Sequence, residues 1–175
     1  QDTLRTHADD PRDAFYSWET LARAQSGDRL WDAAQRSLLV HGELHNNVRM
    51  TWGKALPLWT VDLEQSVAWG QHLNDKYALD GRDPSSVVGV QWCHGLFDRP
   101  FHPPAPVLGL VRQRDPRTHM SRLDMDRYRA FTDQPASPTD HPIVVIGAGL
   151  AGATAARLLA DHGFDVVVLD KGRRV

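Results

Sequence analysis

The chain has 175 residues, of which 41% are hydrophobic and 24% charged, and its formal net charge is −2. The total charge therefore gives no indication of nucleic-acid binding, although a local basic face is compatible with it. The single cysteine, Cys93, excludes a disulfide within the chain, and no apolar run is long enough to span a bilayer. We therefore expect a cytoplasmic protein that does not enter a membrane. We also expect it to be a monomer.

Hydrophobic periodicity predicts that most of the chain is helical. Helices are predicted over residues 11–26, 28–41, 45–56, 63–78, 85–93 and 124–131. Asp28 is placed to cap the second helix and Gly42 to end it, and Pro57 breaks or kinks the third. In the fourth helix, the side chains expected to point inward are Val67, Ala68, Leu73 and Tyr77. The proline-rich stretch 99–117 is expected to form an ordered loop.

The composition changes after the last of these helices. Residues 132–141 have the proline, serine and acidic content of a linker. A strand, a helix and a second strand are predicted to follow, over residues 143–146, 150–162 and 166–169. The expected organisation is a helical domain over 1–131 and the start of a truncated Rossmann domain over 142–175. We expect the chain to be a fragment cut at both ends, because it begins without methionine and stops within this motif.

A glycine-rich loop lies between the predicted first strand and the helix that follows it. Gly147, Gly149 and Gly152 form a GxGxxG motif in the context that a dinucleotide-binding unit requires. Gly147 permits the tight turn, Gly149 lets a pyrophosphate approach the backbone, and Gly152 lets helix and strand pack closely. Asp170, which ends the second strand, is placed to bind a ribose hydroxyl. The segment resembles the start of FAD-dependent oxidoreductases of the amine-oxidase type.

One face of the third predicted helix combines charged and aromatic side chains. Its members recur at helical spacing and are His45, Arg49, Trp52 and Trp59. A buried Arg49 needs a carboxylate partner, and the turn at 80–84 offers Asp80 or Asp83. No metal site is predicted, because no carboxylate or third histidine is placed to join His41 and His45.

Several sequence runs resemble the photolyase/cryptochrome family. They are residues 30–36 (LWDAAQR), 42–50 (GELHNNVRM), 79–84 (LDGRDP), 89–92 (GVQW) and 98–101 (DRPF). The tryptophan spacing is closer to class II photolyases and the HNNVRM wording to class I, so the class stays open. The resemblance implies a mainly α fold: the C-terminal part of a helical photolyase-type FAD-binding domain, followed by a short βαβ Rossmann fragment.

The resemblance also implies roles for individual residues around FAD. Arg49 and Asp80 would lie beside the flavin ring, and Asn74 would lie near its reactive nitrogen and control its protonation. Trp52 and Trp31 would form the inner part of an electron path from the surface. A further candidate for this path is Trp59, and the residues expected to face the substrate pocket are Asn46, Met50 and Trp92.

The activity that the resemblance implies is light-driven DNA repair. Excited, reduced FAD gives an electron to a pyrimidine dimer, which has been flipped out of UV-damaged DNA. Candidates for phosphate contacts are Arg112, Arg114, Arg117 and Arg122, although nearby acidic residues favour a solvated mixed face for most of them.

Several alternatives remain open from the sequence. The chain could come from a cryptochrome-like blue-light photoreceptor without repair activity. It could also come from an FAD-dependent oxidoreductase that carries an accessory photolyase-like module. A helical piece that has lost its flavin, and a gene-boundary artefact that joins two neighbours, are the remaining interpretations.

Overall fold

The computed structural model describes residues 1–114, 116–134, 142–161 and 163–172, and the chain divides into two compact units, Gln1–Gln134 and Pro135–Val175. The helices of the first unit are α1 (Asp2–Thr6), α2 (Trp18–Ala22), α3 (Arg29–His41), α4 (Asn46–Trp59), α5 (Leu63–Tyr77), α6 (Pro84–Cys93), α7 (Pro116–Met120) and α8 (Met125–Thr132). The second unit contains β1 (Ile143–Ile146), α9 (Leu150–Asp161) and β2 (Val166–Leu169). The predicted fold class, mainly helical with a short βαβ segment, is confirmed. Residues 135–141 of the predicted linker lie outside the described residues.

The core of the first unit lies where α3, α4 and α5 meet. Its buried members are Leu21, Leu30, Trp31, Ala34, Leu38, Leu44, Val48, Trp52, Ala55, Leu56 and Leu73. The predicted ends of α3 are confirmed. Asp28 Oδ1 accepts hydrogen bonds from the backbone N–H groups of Leu30 and Trp31 at 3.0 and 2.8 Å. Gly42 ends the helix with φ of +68°, a conformation that glycine adopts without steric cost.

The expected ordered loop is confirmed in its first part. Phe101 N donates to Leu110 O at 2.9 Å and Ala105 N donates to Gly109 O at 2.9 Å. A second core cluster joins this loop to α1 and to the start of α5, and its members are Leu4, Leu63, Ala105, Leu108 and Val111. The end of the predicted loop is wrong, because Pro116–Met120 forms α7.

The predicted helix over 11–26 is also wrong for most of its length. Only Trp18–Ala22 is helical, capped by the Ser17 side chain, and Phe15 is 60% exposed. The backbone N–H of Tyr16 donates instead to the carbonyl of Trp59 at 3.2 Å. This tertiary hydrogen bond outweighs the weak helical periodicity of the segment.

Two expectations for α4 and α5 need correction. Helix α4 continues through Pro57 to Trp59, so the predicted end near Leu56 is wrong and Pro57 does not break the helix, in which Leu56 and Pro57 are both buried. In α5, Ala68 is exposed rather than inward. The buried face follows Ser66, Gly70 and Leu73, since Gly70 packs against Leu56 and Val90.

The second unit has the predicted strand–helix–strand order. Strands β1 and β2 are parallel, with Ile143 opposite Val166 and Ile146 opposite Leu169. None of the side chains of α9 is buried. The predicted last residue of this helix, His162, lies outside the described residues.

Candidate functional site

Arg49 and Asp80 form a two-pronged ion pair between α4 and the turn before α6. Arg49 Nη1 and Nη2 donate to Asp80 Oδ2 and Oδ1 at 2.9 and 2.7 Å. The predicted carboxylate partner of Arg49 is therefore confirmed as Asp80 rather than Asp83. Hydrogen bonding from Arg49 holds the pKa of the Asp80 carboxyl below its ordinary value. The Asp80 carboxylate is thus ionised at neutral pH, in an orientation that the bidentate geometry fixes.

Asn74 joins the same site from the buried face of α5. Its Nδ2 donates to the carbonyl of Gly81 at 2.8 Å and lies 3.3 Å from Ser86 Oγ. A Cβ at Gly81 would stand 2.2 Å from the backbone oxygen of Asn74, so only glycine permits this approach of the turn to α5. The site residues predicted beside a flavin, Arg49, Asn74 and Asp80, are brought together here.

A cavity of about 320 Å³ opens beside this cluster. Its lining is formed by Gly42, Glu43, Leu44, His45, Arg49, Leu79 and Asp80. Among the described residues, Arg49 Nε is buried and has no hydrogen-bond partner. A buried donor without an acceptor costs free energy, so it favours a ligand that brings one. The ring carbonyls and nitrogens of a flavin are such acceptors, and the residues present therefore fit a flavin.

The aromatic residues predicted for an electron path form a continuous contact chain. Trp52 and Trp31 stack with ring centroids 6.1 Å apart, and Trp31 meets Trp59 edge-on at 5.5 Å. Trp52 is 1% exposed, whereas Trp59 is only partly buried. Tyr16, which the sequence did not single out, contacts Trp59 edge-on at 5.2 Å.

Hydrogen bonds fix the two inner rings. Trp31 Nε1 donates to the carbonyl of Trp52 at 2.9 Å, and Trp52 Nε1 donates to Gln35 Oε1 at 3.0 Å. Because Gln35 is itself fully buried, both indoles are held in one orientation. The two inner indole rings are therefore fixed and shielded from solvent.

The residues predicted to face a substrate lie on two helices. Asn46 is the exposed first residue of α4, and Met50 follows one turn later. Met50 Sδ lies 3.8 Å from Sγ of Cys93, the neighbour of Trp92, whose side chain is 44% exposed. The sulfur contact thus brings Met50 to the end of α6 that carries Trp92.

A second, larger cavity of about 790 Å³ is basic. Its lining includes His45, Asn47, Arg112, Arg114, His119 and Arg122. Arg114 Nη1 donates to the carbonyl of Asn47 at 3.0 Å. Burial, Arg114 and Arg122 lower the pKa of His119, whose Nδ1 lies 2.6 Å from Thr51 Oγ1. The prediction for the Arg117 side chain lies outside the described residues.

The glycine loop of the second unit has the geometry that its motif predicts. Gly147 has φ of +99°, and a Cβ at Gly152 would stand 1.9 Å from the Gly147 carbonyl oxygen. A Cβ at Gly149 would meet no atom within 4 Å, so space remains beside the backbone. Asp170 accepts hydrogen bonds from the backbone N–H groups of Ala148 and Gly172, which lower the pKa of its carboxyl.

Two site residues escaped the sequence reasoning, Ser86 and Tyr16. Ser86 resembles an ordinary polar residue in the first turn of a helix, and nothing in its spacing relates it to Asn74 or Arg49. Tyr16 falls in a segment whose helical periodicity is misleading. The only signal for Tyr16 is that it is an aromatic residue two positions before Trp18.

Among the described residues, no three or more His, Cys, Asp and Glu side chains are grouped so that they could hold a metal ion. Within the same residues, no helix is long and apolar enough to cross a membrane.

The second unit matches a class of nucleotide-binding domains. Residues 145–175 match the model of an NAD(P)-binding Rossmann-like domain. The match includes the glycine loop and Asp170, so the Rossmann-type continuation predicted from the sequence is confirmed.

Over most of its length the chain is similar to deoxyribodipyrimidine photolyases, and the resemblance predicted from the sequence is confirmed. It is 38% identical to the photolyase from Oryza sativa subsp. japonica over 131 aligned residues. The aligned stretch covers 74% of this chain and 26% of the relative. The chain is 37% identical over 128 residues to the one from Methanothermobacter thermautotrophicus, covering 73% and 28%. Identity to the one from Potorous tridactylus is 41% over 92 residues, covering 53% and 17%. The matches thus span less than a third of each relative.

Proposed function

We propose that the first unit forms part of the flavin and substrate site of a photolyase-like lyase that uses FAD to split pyrimidine dimers in UV-damaged DNA. The observation that carries this proposal is the cluster of Arg49, Asp80 and Asn74 beside a cavity, with a buried donor on Arg49 that has no acceptor. The similarity to proteins named deoxyribodipyrimidine photolyases supports it.

When bound, reduced FAD supplies the light-driven electron that splits the dimer. In our proposal, Arg49 and Asp80 hold the flavin ring, and the free Nε of Arg49 donates to it. Asn74 would lie near the reactive nitrogen of the ring, where its amide would govern access of a proton. These roles use charges and donors that the fold has already oriented, so little reorganisation accompanies cofactor binding.

Trp52, Trp31 and Trp59 carry an electron between the flavin and the surface in this proposal. The order follows from burial and contact: Trp52 and Trp31 are almost fully buried, and Trp59 lies further out. Tyr16 touches Trp59 and extends the row of rings by one more.

The DNA strand lies across the basic cavity in this proposal. Arg112, Arg114 and Arg122 are cations that line it, and phosphates are the anions that such a groove attracts. The residues that would meet the flipped-out dimer are Asn46, Met50 and Trp92. Apolar and amide contacts of this kind suit a stacked pair of pyrimidines.

We further propose that the second unit begins an FAD-dependent oxidoreductase domain. Gly147, Gly149 and Gly152 would cradle the pyrophosphate at the start of α9, and Asp170 would bind a ribose hydroxyl. The glycine geometry and the match to a Rossmann-like domain support dinucleotide binding, and FAD rather than NAD(P) is the choice that the resemblance favours.

The decisive experiment uses the full-length protein. Its absorption spectrum is recorded before and after blue light with a reductant, and dimer-containing DNA is then added. Flavin photoreduction followed by loss of dimers supports the proposal, whereas photoreduction without repair favours a cryptochrome-like photoreceptor. The amount of bound flavin is then compared in two variants. Loss of flavin from Arg49→Ala assigns it to the first unit, and loss from Gly152→Ala assigns it to the second. If Arg49→Ala loses none of the bound flavin, the proposed site in the first unit is wrong.

The electron path is tested in the same assay with two tryptophan variants. Trp52→Phe is expected to slow photoreduction, because it removes the innermost ring of the contact chain. Trp69→Phe is the matched control, since Trp69 contacts Trp18, at 5.7 Å between centroids, and lies outside that chain. Equal rates in the two variants would contradict the path.

A further inference from the structure

Ser86 lies between two residues of the proposed flavin site that come from different helices. It belongs to the first turn of α6 and is 3% exposed. Arg49 Nη1, from α4, donates to Ser86 Oγ at 2.6 Å. The amide of Asn74, from α5, lies on the other side, with Nδ2 and Oδ1 at 3.3 and 3.4 Å from the same oxygen.

The hydrogen-bonding capacity of these groups fixes the direction of the contacts. Arginine has only donors, so the oxygen of Ser86 must accept from Arg49. The one hydroxyl proton of Ser86 is then free for Asn74 Oδ1 at 3.4 Å, while the second lone pair of Ser86 Oγ can accept from Asn74 Nδ2 at 3.3 Å. The opposite end of the Asn74 amide is held by the Gly81 carbonyl at 2.8 Å. The amide therefore has one orientation that satisfies both of its ends.

The positive charge of Arg49 strengthens this arrangement. A hydroxyl that accepts from a guanidinium becomes a better donor, because hydrogen bonds in series polarise one another. The Arg49–Asp80 pair thereby acts on Asn74 through Ser86, although Arg49 itself donates to Asp80 and Ser86 and not to the amide.

We propose that Ser86 is a positioning residue that couples the Arg49–Asp80 ion pair to the Asn74 amide and fixes how that amide meets the flavin. The inference rests on the proposed flavin function for its consequence, but the coupling itself is a property of the protein without cofactor. The two parts can therefore be tested separately.

The first test observes the Asn74 amide directly by NMR of the 175-residue chain labelled with ¹⁵N-asparagine. The chain has three asparagines, and Asn46 and Asn47 are exposed, so the buried Asn74 side-chain signal is distinct. Ser86→Ala is expected to shift this signal and to speed its hydrogen exchange about five- to tenfold, the effect of losing one hydrogen bond. Ser86→Thr, which keeps the hydroxyl, should restore slow exchange. Ser85→Ala, at the exposed neighbouring position, should match the unchanged chain.

The second test measures the pH profile of flavin photoreduction in the full-length protein. Ser86→Ala is expected to displace this profile, measured per bound flavin, and Ser86→Thr should return it. An unchanged Asn74 signal in Ser86→Ala overturns the inference, whether or not this variant loses flavin. If no variant or parent binds flavin, the proposed function fails, while the NMR result still decides the coupling.

Discussion

Asp80 is the residue of the Arg49–Asp80–Asn74 site whose pKa the fold lowers. The guanidinium of Arg49 lowers its pKa, so its contribution to stability is complete above about pH 4 and is lost as the pH falls through the lowered pKa. The side chain is 49% exposed, and solvent screening therefore limits this contribution to about 1 kcal/mol.

Asp80→Asn is expected to lower the free energy of unfolding by about 1 kcal/mol at pH 6 and by less at pH 3. Urea denaturation at the two pH values measures the difference. The control is Asp83→Asn, because Asp83 lies in the same turn and its side chain makes no capping hydrogen bond. Equal losses at both pH values in Asp80→Asn would contradict the charge-based explanation.

Helix ends that are set by a local cap could be predicted from the sequence. Features that depend on packing against the rest of the fold could not. Asp28 and Gly42 define α3 because a cap and a left-handed glycine act within a few residues of themselves. The continuation of α4 past Pro57 depends on burial by the rest of the fold. The Arg49–Asp80 pair followed from the need of a buried charge for a partner, whereas Ser86 joins three helices by contacts that no spacing encodes.

The crossing of α4 and α6 depends on a glycine at the point of contact. A Cβ at Gly53 would stand 2.5 Å from Cys93 Sγ and 3.1 Å from Cys93 Cβ. Gly89, within α6, would place its Cβ in open space. Two chemically identical substitutions therefore meet opposite surroundings.

We expect Gly53→Ala to destabilise the first unit by about 1–3 kcal/mol through overpacking. Gly89→Ala should stabilise it by up to about 1 kcal/mol, because alanine favours the helix and restricts the unfolded chain. The midpoints of urea unfolding, compared at one pH, give both values. If the urea midpoint shifts in the same direction in both variants, the contact with Cys93 does not determine how closely α4 and α6 approach.

The contact between α5 and α6 contains a buried neutral histidine. Ser66 Oγ and His94 Nε2 lie 2.8 Å apart, and His94 Nδ1 donates to the Val90 carbonyl at 2.8 Å. Burial lowers the pKa of His94 from 6.5 to about 4. The stability that the neutral ring contributes is therefore complete above about pH 6.5 and is lost as the pH falls towards 4.

Acidification from pH 7 to pH 4 is expected to cost up to about 3 kcal/mol through His94 alone. His94→Gln keeps a donor and an acceptor but does not titrate, so its unfolding free energy should fall less steeply over this range. Parallel slopes for His94→Gln and the parent chain would show that His94 is not the titrating group.

At the scale of the whole molecule, the two units differ in how much apolar surface they bury. The first unit has two core clusters, whereas none of the described residues of the second unit is buried. In the second unit Ile146 is 87% exposed and Leu150 89%. Stability that comes from burial should therefore be concentrated in α3, α4 and α5.

Amide hydrogen exchange of the 175-residue chain should reflect this difference. Exchange is expected to be slow in α3, α4 and α5 and fast in β1, α9 and β2. FAD at about 100 times its dissociation constant should slow exchange in the second unit by up to about a hundredfold, because a ligand that binds only the folded form stabilises it by mass action. If FAD also binds beside Arg49, amide exchange in the first unit should slow as well.

Gly152→Ala and Gly149→Ala distinguish the reasons for a loss of dinucleotide binding. The Cβ of Ala at position 152 collides with the Gly147 carbonyl, so this variant should exchange fast with and without FAD. The Cβ at position 149 meets no protein atom, so Gly149→Ala should keep the exchange pattern of the free chain and lose only the response to FAD. A full response in Gly149→Ala would mean that the pyrophosphate does not approach the backbone there. The same measurement with NAD in place of FAD decides which dinucleotide the loop prefers.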